Sequence, residues 1–102
     1  MNLNELKDDE LLKLTHKNNP WRTGDDWSDF AVELAKRLQA KNAALGELRP
    51  VIQNARMVRA IAESYAELDP KWAKSTLDYF HGVVTEPLER AYAELSAKDV
   101  TL

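Results

Sequence analysis

The sequence predicts an all-α fold, a small bundle of three to five antiparallel helices with short connections. Apolar residues recur at three- and four-residue steps through most of the chain. No run alternates with the period of two that a half-buried strand requires. Pro20, Pro50 and Pro70 fall between the periodic stretches, where a helix can start but not continue. With 44% hydrophobic and 30% charged residues the composition is globular, and residues 1–102 read as a single helical domain.

The first helix is expected at 8–17. Asp8 or Asp9 can cap it, and Leu11, Leu12 and Leu14 form its apolar side. Leu3 and Leu6 can extend that side one turn earlier, with Asn2 or Asn4 as the cap. His16 lies near the C-terminal end, where an imidazolium meets the negative end of the helix dipole. Residues 18–26, NNPWRTGDD, read as a loop, because Asn18, Asn19, Pro20 and Gly24 are turn residues. Trp21 sits inside it and Trp27 at its exit. A tryptophan there either plugs one end of a helical core, its indole N–H on a carbonyl, or stands exposed as an anchor beside Arg22.

Asp25 or Asp26 then caps a second helix over 26–45, with Trp27, Phe30, Ala31, Leu34, Ala35, Leu38 and Leu45 on one face and Ser28 in its first turn. Glu33 and Arg37 are spaced for an intrahelical ion pair. Gly46 to Pro50 leaves two readings open. Gly46 can end one helix and Pro50 begin another, giving a helical hairpin. Alternatively Leu45, Leu48 and Ile52 keep helical phase, and one long helix is kinked at Pro50. The third helix, 50–68, buries Val51, Ile52, Ala55, Val58, Ile61, Ala62, Tyr65 and Leu68, with Arg49, Gln53, Arg56 and Glu63 on its polar side and Arg59 beside them. Asp69 and Pro70 cap and start the last helical region, 70–97. There Ala73, Leu77, Phe80, Val84, Leu88, Ala91 and Leu95 run in step, flanked by Trp72, Tyr79 and Tyr92. Gly82 and Pro87 imply a kink or a tight break, with Thr85 as a cap in the second case. The tail KDVTL is expected to fray.

The absence of cysteine removes disulfides and thiolate zinc sites and suits a reducing cytoplasm. No basic, then apolar, leader opens the chain, and no apolar stretch approaches the ~20 residues of a membrane span. The net charge of −3 is unevenly spread. Residues 1–35 sum to −4, residues 36–59 to +5 and residues 60–102 to −4, counting Lys and Arg against Asp and Glu. Either the acidic flanks fold over the basic middle, or the middle presents a cationic face to an acidic partner.

Little in the sequence resembles catalytic machinery. None of Ser28, Ser64, Ser75 and Ser96 sits in a Gly-x-Ser-x-Gly turn, and the isolated glycines make no phosphate cradle. Asp78 and His81 share a helix face, but a lone pair of this kind arises by chance. Asp25, Asp26, Asp29 and Glu33 form an acidic run that could share a hard cation, although acids gather at helix starts for other reasons. No catalytic residue, metal or cofactor is therefore assigned. A membrane-surface role is weakened by the alanines, Glu63 and Glu67 of helix 50–68.

The expectation that remains is a non-enzymatic protein-binding module, an adaptor, inhibitor or accessory subunit of the size common among bacterial and phage proteins. It would dock a larger protein through Trp21, Arg22 and Trp27 and through Arg49, Gln53, Arg56 and Arg59. The alternative is a nucleic-acid-binding regulator using the basic face of helix 50–68, where Asn54 adds a further base-reading side chain. A homodimer is expected if the long kinked helix exposes more apolar surface than one chain covers.

Overall fold

The structure, a computed structural model, describes residues 3–17, 20–41, 48–64 and 70–100, with the side chains of 22–25 and 98–100 excepted. A single 3₁₀ turn, Leu3–Glu5, precedes α1 (Asp8–Lys17), α2 (Pro20–Lys41), α3 (Arg49–Ser64), α4 (Pro70–Phe80), a π-helical turn (His81–Thr85) and α5 (Glu86–Val100). All described elements are helical.

α1 has the expected bounds. α2 does not. It starts at Pro20, so Pro20 to Asp26 is helix and not loop, and Asp26 and Ser28 lie within it. Proline suits a first helical turn, where its missing N–H has no helical partner to lose. Pro20 itself is fully buried, and Trp21 is tied to a later helix, so tertiary contacts override the turn preferences of Pro20 and Gly24. α3 begins one residue before Pro50 and is continuous to Ser64. The caps assigned to Gly46 and Asp69, and the core positions assigned to Leu45, Tyr65 and Leu68, lie outside the described residues. Pro70 starts α4 as expected.

Cross-contacts fix the topology. Arg59 in α3 reaches Asp29 in α2, which closes α2 and α3 as an antiparallel hairpin and excludes one long kinked helix. Asp8 pairs with Arg37, and Thr15 with Trp27, so α1 is antiparallel to α2. Trp21 meets Ala73 and Trp27 meets His81, so the last helix runs parallel to α2. The bundle is therefore up-down-up-down. Its core comprises Leu11, Trp27, Phe30, Ala31, Leu34, Leu38, Val51, Ala55, Val58, Phe80, Val84 and Leu88, among others, with Leu3, Leu6, Ile52 and Ile61 packed around it.

The last helix is neither broken nor simply kinked. It widens into a π turn, in which the Glu86 N–H bonds the His81 carbonyl. The cause lies in Pro87. Its ring lacks an N–H and crowds the carbonyl four residues back, at Val83, and a wider turn relieves that contact. Thr85 is buried within the turn and is not a cap at the start of a new helix. Helix also continues through the expected frayed end, to Val100. At about 1.5 Å per residue, 70–100 forms a rod of roughly 46 Å, which accounts for the 49 × 26 × 19 Å extents.

Candidate functional site

The basic middle of the chain is partly consumed by the acidic flanks. The Arg37 guanidinium donates to Glu33 at 3.1 Å, to the Leu6 carbonyl at 2.5 Å, to the Leu3 carbonyl at 2.8 Å and to Asp8 at 3.3 Å. Lys41 also pairs with Asp8. Burial alone would raise the Asp8 carboxyl, but the hydrogen bonds and charges of Lys41 and Arg37 outweigh it and hold the group below its ordinary 3.8. Arg59 lies 3.5 Å from Asp29 and 3.6 Å from Glu63.

Lys36 on α2 stays exposed, and α3 carries an exposed ridge. Arg49, Gln53 and Arg56 are exposed and occur at helical steps of four and three, so they line up along one side. Met57 stands beside them, 44% exposed. The opposite side of the helix, Val51, Ala55 and Val58, is buried and fixes the ridge in place. Arg56 makes no hydrogen bond or ion pair among the described residues.

Of the two tryptophans expected as anchors, Trp27 is not on the surface. Trp27 is fully buried, and its indole N–H donates to the Thr15 carbonyl at 2.9 Å. It is the core plug, and its assignment as an exposed anchor is corrected. Thr15 lies in the last turn of α1, where carbonyls have no helical donor, so the indole completes the end of that helix. Trp21 is half-buried. Its N–H donates to the Ala73 carbonyl at 2.8 Å and its ring lies 5.8 Å from that of Trp72. It ties the start of α2 to α4. The Arg22 side chain lies outside the described residues.

Trp72 and Tyr79 on α4 are 43% and 60% exposed, a surface outside both clusters expected from the sequence. Their spacing of seven residues, two helical turns, was the available signal.

Both histidines are engaged as well. His81 is half-buried, 2.9 Å from the Thr85 hydroxyl through Nδ1 and edge-on to Trp27 at 6.3 Å. Burial and the nearby His16 lower its pKa from 6.5, against the opposing charges of Asp78 and Glu86. His16 lies 3.3 Å from Glu89. Of the acidic run, Asp29 and Glu33 are held by arginines, and the Asp25 side chain lies outside the described residues. Among the described residues no group of three His, Cys, Asp or Glu is placed to hold a metal ion. A cleft lined by Lys7, Asp8, Leu38, Lys41 and Tyr92 runs between α1, α2 and α5, but the Lys41 and Asp8 charges in it are spent on each other. Among the described residues no helix is long and apolar enough to cross a membrane.

Compared with protein-family models, curated proteins and solved structures, the chain matches none.

Proposed function

We propose that the chain is a non-enzymatic protein-binding module that docks a larger partner on the outer ridge of α3. One observation carries this reading: Arg56 and Met57 stand exposed together on a helix whose other side is locked into the core. Arginine and methionine are enriched in protein interfaces, and a rigid helix holds them with little ordering cost. The complementary surface is an acidic patch around an apolar pocket, with Arg49 and Gln53 at its rim. The non-enzymatic reading is supported by the employment of Asp8, Asp29 and Glu33 in ion pairs and of His81 in packing against Trp27. The absence of cysteine supports a reducing, cytoplasmic setting.

The test is capture of partners from the native host with wild-type chain and with Arg56→Glu and Met57→Asp, each shown to be folded by circular dichroism, followed by titration of the captured protein. Loss of at least about tenfold in affinity for each variant is expected from a buried anchor. Unchanged affinity in both excludes the ridge. A nucleic-acid reading draws on the same alignment of Arg49, Gln53 and Arg56. Met57 and the net charge of −3 favour protein. Binding to duplex DNA or RNA that falls steeply with salt would reverse that preference.

A further inference from the structure

α4 carries apolar side chains on two sides. Ala73 and Leu77 are partly buried and keep helical phase with Phe80 and Val84, which lie in the core. Trp72 and Tyr79 sit off that line and are exposed, although the first also touches Trp21 and the second lies edge-on to Phe80. His16 at the end of α1 lies beside Glu89 in α5, so α1 does not extend alongside α4. That leaves α4 leaning on α3 and on the first turn of α2, at one end of a 49 Å molecule.

Trp72 and Tyr79 are seven residues apart, the repeat of a helix-to-helix seam. Ser75 and Thr76, both small, lie between them and permit close approach. Lys71 and Asp78 each precede an aromatic by one residue, so they occupy equivalent positions on the same flank of the seam and carry opposite charge.

We propose that this surface receives a second copy of the chain, with the two α4 helices antiparallel about a two-fold axis over Ser75 and Thr76. Antiparallel packing sets equivalent flanks against each other. Trp72 then meets the Tyr79 of the second copy and Lys71 meets its Asp78, and symmetry makes each contact twice. A wholly acidic or wholly basic partner meets one like charge on this flank, whereas a second copy meets complementary charges at both places. The contact is isologous and closes at two chains.

The patch is small. At 43% and 60% exposure, and ~150–250 Å² for each aromatic side chain, each copy contributes about 200 Å² of apolar surface from the two rings. A stable interface buries roughly 800 Å² per partner, so the dimer is weak and reversible. Overlap confined to the ~16 Å length of α4 makes it elongated, roughly 80 Å end to end for two 49 Å chains.

Sedimentation velocity and small-angle scattering on the full chain, from about 10 µM to about 1 mM, a range suited to so small an interface, test this. Wild type should pass from monomer to an elongated dimer. Tyr79→Glu should stay monomeric. Asp78→Lys, which sets two lysines together, should weaken association about tenfold, and the charge-swapped Lys71→Asp/Asp78→Lys chain should recover it to within about threefold. A wild-type monomer throughout, a compact dimer, or a charge swap that fails to rescue would overturn the proposal. Arg56→Glu should leave self-association unchanged, so this test and that of the α3 ridge fail independently.

Discussion

Trp27 joins three elements through one side chain. Its ring fills the core, its N–H closes the end of α1, and His81 from the π turn packs perpendicular to its ring. Trp27→Phe keeps an aromatic ring but removes the donor and part of the volume. The expected cost is about 2–4 kcal/mol, seen as a drop in the denaturant midpoint with unchanged slope. The sequence allowed Trp27 to be read either as a plug or as an anchor, because residue type alone does not say which way an indole faces. His81 belongs to the same cluster, near His16, Asp78 and Glu86. Its pKa is lower in the folded chain than in the unfolded one, so the unfolded state takes up the proton first. Stability is therefore complete above the ordinary value of 6.5 and declines as pH falls from there toward the lowered folded value. Asp8 follows the carboxylate rule. Its contribution is present above 3.8 and is lost only as pH falls through its depressed folded value. Denaturation curves at about pH 7.5 and about pH 5.5 bracket imidazole titration and should differ in wild type. In His81→Gln the difference should shrink, leaving the carboxylate window unchanged.

At the level of elements, Arg37 does the work of a clasp. One guanidinium on α2 takes the Leu3 and Leu6 carbonyls and the Asp8 carboxylate, holding the 3₁₀ turn and the start of α1. Lysine keeps the charge but not the planar fork. Arg37→Lys should cost about 1.5–3 kcal/mol and raise amide exchange selectively at Leu6 and the first turn of α1. The 3.6-residue pattern revealed this pair only as an intrahelical bridge with Glu33, since the carbonyls it binds belong to another element. The π turn was half legible. Gly82 and Pro87 signalled an interruption while the apolar phase ran on, and a widened turn is the solution compatible with both. Gly82 is exposed, and a β-carbon there would meet nothing within 4 Å. Gly82→Ala should therefore stabilise by about 0.5–1 kcal/mol, read as a rise in the thermal midpoint.

For the whole molecule, the all-α class followed from periodicity, and the up-down-up-down arrangement followed from short connections between those helices. What periodicity could not supply was which polar side chains meet across helices. The charge tally anticipated that acidic flanks would meet the basic middle, and Asp8 and Asp29 do so at Arg37, Lys41 and Arg59. The tally could not distinguish those cations from Arg56, which has the same chemistry and a different surrounding. Likewise the aromatic surface of α4 was hidden in a stretch whose inner face already explained its helicity.

The three indoles also give the chain a built-in spectroscopic readout. Trp27 is sealed from water, Trp21 is half-buried, and Trp72 is largely solvated on one side. Their emission therefore ranges from short to long wavelength within one spectrum. Loosening of α4 separates Trp72 from Trp21 while leaving Trp27 dark to solvent, so long-wavelength emission changes before the short-wavelength band moves. A protonated imidazole quenches an indole at its edge, which makes Trp27 intensity an optical titration of His81. Core melting, detachment of the last helix and a single proton can thus be followed separately in one unlabelled sample.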